Sequence, residues 1–587
     1  MKKDIEKIRH SLSHLLAFVI KKAFPEVKFG IGPIIENGFY YDIDFGENSF
    51  GEADLPVIES KMREVIDQDL AFEVIEKDID EAIEEEKTNG QEFKVDLLEE
   101  LKSEGEKIVS YYRLGDFEDL CRGPHINYLK EIDPDSFKLS HVAGAYWRGD
   151  EKNKMLTRIY GLAFDSADEL EDYVLKQEEI RKSDHKRLGK ELDLFCFSET
   201  VGKGLPLWTE KGTAIRRELE RFIVDEEIKR GYIHVMTPDI AKLDLYIKSG
   251  HYPHYKDSMY APIKIEDEEF MLRPMTCPHH FELYSRKIHS YRDLPFRIAE
   301  IAKLYRFEQS GELSGLLRVR SFSLADAHII CASEEQAVEE IDKALDLIEF
   351  VSETFGLKKG EDFWYSLSLG DRSDNEKYFK NDEAWELAED LLRKHLNSRG
   401  VRFDEKKGEA AFYGPKIDIQ MRNVNGKEDT AFTVQYDFSM PEQFDLTYID
   451  HEGNKKRAFV VHRSSIGAIE RTIAFLIEHY GGSFPVWLAP IQAKIISVSD
   501  DQISQCEKLK QKMLEEGLRP ETDTSNETVG NKIRKAIGEK VPYMVVIGPK
   551  EVESNNVTVR KRDNDHVRTM KEEDFLSELK EIYSKRL

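Results

Sequence analysis

Two short stretches of the sequence pair histidine or cysteine at the same spacing. HSLSH contains His10 and His14, and CRGPH contains Cys121 and His125, so each stretch holds two such residues four positions apart. On a helix, residues four apart lie on the same face. If the two pairs converge in the fold, they can form a metal site or a hydrolytic pocket in which imidazoles hold a water molecule. The alternative is two unrelated surface pairs.

A third stretch, RPMTCPHH, places Cys277 close to His279 and His280 in a chain that has only five cysteines. Zinc requires three or four ligands, and structural zinc sites usually contain paired Cys-x-x-Cys motifs. Local spacing therefore leaves two interpretations open. Cys277 either belongs to a metal site or is a buried cysteine that packs as a small hydrophobic side chain.

Two further segments contain arginines at places where a polyphosphate can bind. In residues 303–331 an apolar strand ends at Arg306, crosses a Gly/Ser loop and returns through Arg318. In residues 459–482 a strand leads through a glycine turn into a helix that carries Arg471 near its start. A guanidinium group offers two parallel donors to a phosphate, and the free N–H groups of a helix N-terminus favour the same ligand. For the first segment, a salt-bridged surface hairpin is the alternative.

Hydrophobic periodicity predicts the elements that must position these residues. Residues 31–45 have a strand-like pattern, and residues 55–107 include an acidic stretch with helical periodicity. Residues 166–194 are highly charged and helical, which makes them the best candidate for a linker between domains. Residues 212–232 predict an amphipathic helix that ends near Gly231.

The last hundred residues alternate strands with helices. AKIISVSD (493–500) and YMVVIG (543–548) have the composition of buried strands, and two helices lie between them, the second after Gly530. This alternation predicts a compact α/β domain with a largely parallel sheet.

Composition describes a globular chain of 587 residues without a membrane segment. No apolar run approaches the ~18 residues that a membrane-spanning helix needs, and the N-terminus lacks the cleavage site of a signal peptide. Five cysteines without paired spacing indicate a reducing compartment, so we expect a cytoplasmic location. The formal net charge of −28 does not exclude a nucleic-acid partner, because local basic clusters such as VRKR (559–562) remain.

In their order along the chain, these segments resemble the signature motifs of class II aminoacyl-tRNA synthetases, and of the threonyl-tRNA synthetase family in particular. GLPLWTEKG…GYIHVMTPDI is similar to the first motif, RFEQSG…LLRVRSF to the second and GAIERTIAFLIEHY to the third. HSLSHLLA, GPIIENGFYYDID, DLCRGPH and AGAYWRGD resemble the editing domain of that family. The resemblance extends from about residue 8 to residue 575, without the small domain that often precedes the editing domain.

The resemblance implies a multidomain fold that mixes α/β and α+β parts. Residues 1–165 would form an editing domain of the threonyl/alanyl-tRNA synthetase second-additional type, and residues 166–189 a helical linker. Residues 190–484 would form the class II catalytic domain around an antiparallel sheet. Residues 485–587 would form a C-terminal α/β anticodon-binding domain.

The resemblance also answers the question that local spacing leaves open. In that family one zinc ion per subunit is held by a cysteine and two distant histidines, which match Cys277, His328 and His462; neither His279 nor His280 is then a ligand. Three protein ligands leave an open coordination position. Such a metal can separate threonine from its isostere valine, which a hydrophobic pocket alone does by only ~10²-fold.

By the same resemblance, the chain charges tRNA(Thr) in two steps. Threonine and ATP give an enzyme-bound adenylate, Mg²⁺ bridges the phosphate oxygens, and the threonyl group passes to tRNA. Arg306 is expected at the α-phosphate, Arg471 at the γ-phosphate, and Phe322 against adenine. Further residues that match this pocket are Glu308, Arg318, Asp326, Tyr413, Lys416 and Gln435. Residues that match the anticodon-reading positions are Asn526, Glu551 and Arg560.

Serine retains the hydroxyl group of threonine and lacks one methyl, which is worth only ~1–3 kcal/mol in a binding pocket. A second, hydrolytic site is therefore expected for seryl-tRNA(Thr). The residues that match it are His10, His14, Cys121 and His125. We expect these groups to act on a water molecule without a metal, with histidines at their ordinary pKa of ~6.5.

The sequence departs from the family pattern at several positions. Thr276 stands where asparagine is usual, His279 where glycine is usual, Leu324 where glutamine is usual, and Asp429-Thr430 where Trp-Gln is usual. Leu324 and Thr430 suggest one alternative function, an RNA-binding relative that has lost catalysis. A second alternative is a sister class II enzyme such as the prolyl or seryl one.

We also expect a homodimer, because the first motif (212–240) forms the dimer interface in this class. The apolar face of its helix, at Ile215, Leu219 and Phe222, can equally be ordinary core.

Overall fold

A computed structural model describes residues 4–150, 152–374, 377–423 and 426–587. The chain folds as two compact units, Met1–Glu179 and Ile180–Leu587. Within the described residues, no helix combines the length and the apolar character that a membrane crossing requires.

The first unit combines two antiparallel sheets with helices. Strands β1-β3-β8-β7 form one sheet, with β2 added on β3, and β4-β5-β6 form the other. Helix α1 is buried from Ser11 to Ile20, where it contacts β3, β8 and α2. In chain order the helices and strands are α1 (Ile5–Ala23), β1 (Lys28–Phe29), β2 (Ile34–Ile35), β3 (Gly38–Asp44), α2 (Leu55–Ile66), β4 (Phe72–Asp78), α3 (Ile79–Thr88), α4 (Glu92–Ser103), β5 (Ile108–Leu114), β6 (Phe117–Leu120), β7 (Phe137–Tyr146), β8 (Met155–Ala163) and α5 (Ala167–Ser183), the last of which runs across the boundary between the units.

The helical stretch predicted for residues 55–107 contains a strand that periodicity did not reveal. Strand β4 pairs with β5 in antiparallel register from Phe72↔Leu114 to Asp78↔Ile108. Its sequence, FEVIEKD, is mostly charged and half-exposed, so its local pattern resembles that of the charged helices on either side. The strand forms because β5 provides its hydrogen-bonding partners, and these lie 30 to 42 residues further along the chain.

The second unit is built on an eight-stranded sheet in the order β11-β15-β16-β23-β20-β19-β17-β18. All neighbours are antiparallel except the two edge pairs, β11 with β15 and β17 with β18. The elements of this part are α6 (His185–Glu191), β9 (Phe195–Cys196), β10 (Leu207–Trp208), α7 (Glu210–Lys229), β11 (Ile233–His234), β12 (Ile240–Lys242), α8 (Leu243–Lys248), α9 (His251–His254), β13 (Ile263–Ile265), β14 (Glu268–Leu272), α10 (Cys277–Ser285), β15 (Phe296–Tyr305), β16 (Ser321–Cys331), α11 (Glu334–Thr354), β17 (Phe363–Leu369), α12 (Asp382–Ser398), β18 (Phe403–Lys407), β19 (Lys416–Arg422), β20 (Glu428–Asp437), α13 (Met440–Gln443), β21 (Thr447–Ile449), β22 (Lys455–Arg457), β23 (Phe459–Ala468) and α14 (Ile469–Tyr480).

The hairpin and the strand–turn–helix predicted from residues 303–331 and 459–482 are both present. β15 and β16 pair from Phe296↔Ile330 to Tyr305↔Ser321, and β23 turns directly into α14. Gly467 has a φ of +63° at this turn, and a Cβ there would lie 2.2 Å from the carbonyl oxygen of Ala431. Only glycine can therefore turn the chain so close to the neighbouring strand.

The predicted charged linker is two helices rather than one. Asp184 ends α5 and caps α6, with its side chain accepting a hydrogen bond from the backbone N–H of Lys186. The apolar face of α7, at Ile215, Leu219 and Phe222, is buried in the core of the second unit. Of the two interpretations of that face, ordinary core is confirmed, so these side chains cannot form an interface.

The C-terminal part of the second unit is an α/β layer with the sheet order β25-β24-β26-β27-β28. The prediction of a largely parallel sheet was wrong, because β27 and β28 form a hairpin that adds to β26 in antiparallel orientation. The second helix begins one residue before Gly530 rather than after it. The elements are β24 (Ala493–Ser497), α15 (Ile503–Glu515), β25 (Pro520–Asp523), α16 (Val529–Gly538), β26 (Tyr543–Ile547), α17 (Pro549–Ser554), β27 (Asn556–Lys561), β28 (Asn564–Lys571) and α18 (Glu572–Ser584).

Candidate functional site

Three distant residues of the second unit converge on a candidate metal site. Cys277 begins α10, His328 lies on β16 and His462 on β23. The register of β16 with β23 places His328 directly opposite His462. The possible ligand atoms of all three lie within 4.8 Å of one another, and all three residues are buried. One sulfur and two imidazole nitrogens suit zinc, so the donor set fits the metal that the sequence implies.

Hydrogen bonds behind the two histidines orient their rings. His462 Nε2 lies 2.8 Å from a carboxylate oxygen of the buried Asp437, and His328 Nδ1 lies 2.8 Å from Nδ1 of His280. Such contacts fix the ring orientation of metal-binding histidines. Burial raises the pKa of the Cys277 thiol well above its ordinary value. A cation is therefore needed to stabilise the thiolate here.

The two histidines next to Cys277 differ in their hydrogen-bond partners. Besides His328, His280 contacts Glu300, with Nε2 3.3 Å from the carboxylate. Both ring nitrogens of His279 are buried without a hydrogen-bond partner in the described structure. Burial lowers the pKa of His279 to about 4, so this ring is neutral near pH 7. Nothing in the structure explains why this chain has histidine rather than glycine there.

A cavity of about 230 Å³ opens beside the three candidate ligands. It brings together eight of the nine residues that the sequence assigns to the ATP and threonine pocket. The ninth, Lys416, does not line the cavity; its ammonium group lies 2.7 Å from the carboxylate of Asp418. The eight that line it are Arg306, Glu308, Arg318, Phe322, Asp326, Tyr413, Gln435 and Arg471.

Arg471 is one of the three arginines that the sequence assigns to this cavity, and its guanidinium is held by two backbone carbonyls. Its Nε donates to the carbonyl of Leu317 at 3.1 Å, and its Nη1 donates to the carbonyl of Thr430 at 2.8 Å. Burial lowers its pKa, and the positive charges of Arg306 and Arg318 act in the same direction. A buried guanidinium beside two like charges is stabilised by an anionic ligand.

The other two arginines hold aromatic and acidic partners. The Arg306 guanidinium lies 5.2 Å from the ring centroid of Phe322, which is a cation–π distance. Arg318 Nε donates to Glu308 at 2.8 Å. The two charges at the loop therefore partly balance each other, whereas Arg306 faces a ring that an aromatic ligand can share.

One buried carboxylate, to which the sequence analysis assigned no role, joins the three motifs that carry these residues. Glu470 on α14 accepts from Arg216 of α7 at 2.6 Å and from the backbone N–H of Ser323 on β16 at 2.8 Å. It is completely buried. Removal of one partner from such a buried pair costs about 3–5 kcal/mol, so this network fixes the first turn of α14, which also carries Arg471.

Two of the departures from the family pattern lie in the cavity wall. Leu324 lines the cavity and packs against an apolar cluster that includes Phe322. The Thr430 hydroxyl accepts from Gln420 Nε2 at 3.1 Å, while its main-chain carbonyl holds Arg471. The arginine contact uses the backbone, so it does not depend on the side chain at position 430.

The paired histidines and cysteine of the first unit also converge. Cys121 Sγ lies 3.1 Å from His10 Nε2 and 3.2 Å from His125 Nε2, and the two rings stack at 4.3 Å. These three residues form a second group whose ligand atoms lie within 4.8 Å of one another. Nε2 of His14 is buried without a hydrogen-bond partner in the described structure, and the His14 ring lies 5.2 Å from that of His125. The two half-sites thus form one pocket rather than two surface pairs.

Burial changes the acid–base properties of this pocket. It lowers the pKa of His14 to about 4 and that of His125 to about 2, and it raises the pKa of Cys121 to about 11. The expectation of ordinary histidine pKa values near 6.5 was therefore wrong for these two rings. Near pH 7 they are neutral acceptors, Cys121 is a thiol donor, and the less buried His10, whose pKa is also lowered by burial, is the best-placed base.

A charged network that the sequence did not reveal lies beside the same pocket. Lys94 pairs with Asp119 at 2.5 Å, and Tyr41 also hydrogen-bonds to Asp119; all three side chains are buried. Cys121 and Arg122 line a cavity of about 560 Å³ on the surface of this unit. The pocket is thus open to a ligand at its cysteine.

The three residues assigned to anticodon reading lie in the C-terminal α/β layer, on different elements. Asn526 is exposed in the loop between β25 and α16, Glu551 is in α17, and Arg560 is on β27. The Glu551 carboxylate accepts from the N–H of Gly548 at 3.0 Å and from the hydroxyl of Thr558 at 2.8 Å. This side chain therefore already stabilises the start of α17.

Three family descriptions match the chain. Residues 260–480 match the tRNA synthetase class II core domain (G, H, P, S and T), and residues 490–582 match an anticodon binding domain. Residues 109–160 match the threonyl and alanyl tRNA synthetase second additional domain. The fold is therefore that of a class II synthetase core with an anticodon-binding part and an editing-type domain.

Curated relatives and a solved structure point to the same family as these descriptions. The chain is 46% identical over 583 residues to the threonine–tRNA ligase of Geobacillus sp. (strain WCH70), covering 99% of this chain and 89% of that one. It is 46% identical over 573 residues to threonine–tRNA ligase 1 of Bacillus subtilis (strain 168), covering 97% and 88%. A crystal structure of the RNA binding domain of threonyl-tRNA synthetase from Cryptosporidium parvum Iowa II superimposes with a TM-score of 0.64 at 34% identity, covering 68% of this chain and 98% of that one. With its metal-type triad, arginine-lined cavity and histidine–cysteine pocket on this fold, the chain belongs to the threonine–tRNA ligase family.

Proposed function

We propose that this chain is a threonine–tRNA ligase that activates threonine with ATP, transfers it to tRNA(Thr) and hydrolyses seryl-tRNA(Thr). The observation that carries the proposal is the buried group of Cys277, His328 and His462 at the wall of the arginine-lined cavity. Prolyl or seryl enzymes share the core description, but the relatives that cover nearly the whole chain are threonine–tRNA ligases.

Threonine binds at the triad end of the cavity. Cys277, His328 and His462 would hold one zinc ion per subunit, and that ion would act as a Lewis acid toward the amino and hydroxyl groups of the substrate. Asp326 lines the same wall, where it can accept from the substrate hydroxyl. Valine offers no hydroxyl to this set, and a site built for a hydrogen-bonding group rejects an analogue that lacks it.

ATP, with Mg²⁺, binds at the arginine end. Arg306 holds the α-phosphate and Arg471 the γ-phosphate, while adenine stacks on Phe322 near the Glu308–Arg318 pair. Each donor is already in place before the nucleotide arrives, so charge that develops on the phosphates is stabilised without reorganisation of the site. The remaining residues assigned to the substrate pocket are Tyr413, Gln435 and Lys416. Of these, Lys416 acts from outside the cavity.

The test of this function is direct charging. The purified chain is incubated with ATP, Mg²⁺, labelled threonine and a tRNA(Thr) transcript, and we expect threonyl-tRNA. Tight tRNA binding without any charging would support the alternative, an RNA-binding relative that has lost catalysis through changes such as Leu324 and Thr430.

The pocket of His10, His14, Cys121 and His125 is proposed as the editing site. His10 accepts a proton from water as the water oxygen attacks the ester carbonyl, and it returns that proton to the ribose oxygen when the ester C–O bond breaks. Neutral His14 and His125 and the Cys121 thiol orient the water and the ester. The ligand-atom spacing also suits a metal, but the proposal uses none, because neutral imidazoles and a thiol are sufficient to position water.

The double variant His14→Ala, Cys121→Ala is expected to accumulate seryl-tRNA(Thr) and to charge threonine at nearly the parent rate. The synthetic site can reject serine by only ~10–200-fold, so misacylation becomes visible once hydrolysis is lost. Deacylation of preformed seryl-tRNA is the measurement, and Cys196→Ala, at an exposed cysteine, is the matched control. Parent-rate deacylation by the double variant would refute the assignment.

We also propose a homodimer through the surface formed by the C-terminal end of α7 and the residues that follow it. The buried face of α7 is core, but Ile228, Ile233, Met236 and Ile240 expose 40–93% of their surface within thirteen residues. Strand β11, which carries Ile233, is an edge of the eight-stranded sheet. An apolar sheet edge of this kind is typical of an interface.

Light scattering should therefore give twice the 68.2 kDa mass of one chain at micromolar concentration, and Met236→Asp should shift the mass toward the monomer. Leu387→Asp is the control, because Leu387 is also exposed and lies on α12, which packs on β17 near the opposite end of the sheet. A stable monomer of the parent protein would contradict the dimer.

The remaining assignments rest on the family. We propose an editing domain (1–165), a linker (166–189), a catalytic domain (190–484) and an anticodon-binding domain (485–587), in which Asn526, Glu551 and Arg560 read the anticodon. Single-stranded loop bases are read by hydrogen bonds and arginine stacking. A cytoplasmic location agrees with the five free cysteines.

A further inference from the structure

The loop between β15 and β16 is held at its tip by a histidine that belongs to no signature motif. His185, the first residue of α6, is 1% exposed. The backbone N–H of Leu316 in the loop donates to His185 Nε2 at 3.1 Å. On the other side of the ring, His185 Nδ1 lies 2.6 Å from the carboxylate of Glu478 on α14.

These contacts determine the tautomer of the ring. Because an N–H group points at Nε2, that nitrogen must carry a lone pair, so the proton of the neutral ring lies on Nδ1 and is donated to Glu478. Glu478 is 8% exposed. A buried carboxylate behind a histidine fixes both the orientation and the tautomer of the ring, and here it presents an acceptor to the loop.

Helix α14 holds the loop through two contacts, and these contacts involve two neighbouring loop residues. Arg471 donates directly to the carbonyl of Leu317, while Glu478 reaches the N–H of Leu316 through His185. Arg471 and Glu478 are seven residues apart and therefore lie on one face of the helix. The next residue of the loop is Arg318, which pairs with Glu308 in the cavity.

The loop also has a residue that permits this close approach. Gly315 has a φ of +51°, and a Cβ at this position would lie 2.2 Å from His185 Nε2 and 2.7 Å from Cγ of Lys186. Any side chain would push the loop away from the histidine. The glycine and the histidine thus form one contact, made by two parts of the chain that are 130 residues apart.

We propose that His185 is a positioning residue for ATP: it holds the 315–318 backbone so that Arg318 and the Leu317–Arg471 contact are in place before the nucleotide binds. This inference rests on the proposed ATP site. It predicts that changes at His185 alter the KM for ATP and not the KM for threonine. The threonine end of the cavity is built from α10, β16 and β23, and none of these elements hydrogen-bonds to His185 in the described structure.

The test compares two substitutions that keep different halves of the ring. His185→Asn retains a nitrogen near Nδ1 but has no acceptor for Leu316, whereas His185→Gln places a carbonyl oxygen near the position of Nε2. In threonine-dependent pyrophosphate exchange, we expect His185→Asn to raise the KM for ATP about tenfold, as an orphaned buried N–H implies, with the KM for threonine within about twofold. His185→Gln should recover most of the loss, and Gly315→Ala should reproduce it.

Leu188→Ala is the structural control. Leu188 lies on the same helix and is buried in the core, so its truncation should lower the unfolding temperature while leaving both KM values near those of the parent. Equal increases in both KM values for His185→Asn, or an unchanged KM for ATP in folded His185→Asn and Gly315→Ala proteins, would overturn the inference. If Arg471→Ala also leaves the use of ATP unchanged, the proposed ATP site itself fails.

Discussion

Cys277→Ala is expected to remove the zinc proposed for the triad and to lower threonine-dependent pyrophosphate exchange about 10³-fold. Metal-ion polarisation and coordination are worth several kcal/mol in such sites, and each 1.36 kcal/mol is tenfold in rate. Two imidazoles alone hold zinc poorly, because the thiolate is the only anionic ligand of the triad. Metal analysis of the purified variant and the exchange assay give the two readouts.

His279→Ala is the matched control for this prediction. It lies two residues away on α10 and is 8% exposed, and its ring nitrogens have no hydrogen-bond partner in the described structure. The variant should keep its zinc and most of its exchange activity. Zinc that survives Cys277→Ala, or that is lost with His279→Ala alone, would show that the ligands are assigned wrongly.

Arg471→Ala is expected to lower kcat/KM for ATP by about 10²–10³-fold, the usual cost of removing one preorganised donor from a developing charge. The same change frees the carbonyls of Leu317 and Thr430, so part of the loss comes from the loop. Arg471→Lys retains the charge without the planar fork and should recover only a fraction.

Arg422→Ala, at an exposed arginine on β19, controls for loss of a positive charge and should leave the exchange unchanged. The KM for threonine in Arg471→Ala should remain within a few fold, since Arg471 belongs to the arginine end of the cavity. Undiminished use of ATP by Arg471→Ala would remove this residue from the proposed machinery.

Local patterns were sufficient to predict the elements that carry the arginines. In the hairpin, long apolar strands lie on both sides of a Gly/Ser loop; the first strand leads to Arg306 and the second contains Phe322. In the other motif, β23 leads through Gly467 into a strongly amphipathic helix. In both cases the signal lies within about 30 consecutive residues. The side chains at the ends of such elements are then placed by the geometry of the elements themselves.

The candidate zinc ligands could not be found in this way. His328 and His462 meet because β16 and β23 are neighbours in the sheet with those residues in register, and Cys277 approaches from α10. Strand order and register depend on packing over the whole sheet, so only the family resemblance linked residues up to 185 positions apart. The same limit explains why Asp437 and His280, which contact the two histidines, were missed.

Burial is the other property that local sequence does not give. Lys94 lies on the charged helix α4, yet it is 3% exposed and paired with Asp119. The pKa values of His14 and His125 in the histidine–cysteine pocket differ from the ordinary value for the same reason, since desolvation dominates both shifts. In each case the property depends on the environment of the residue in the fold rather than on the helix or strand that carries it.

Amino-acid-dependent pyrophosphate exchange with threonine, serine, valine and proline tests the central claim most directly. The metal-type triad beside the arginine-lined cavity predicts exchange with threonine, weaker exchange with serine, and almost none with valine or proline, despite Leu324 and Thr430 in the cavity wall. Exchange that is as fast with valine or proline as with threonine, or that is absent with all four in a protein that retains its zinc and binds tRNA(Thr), would contradict it.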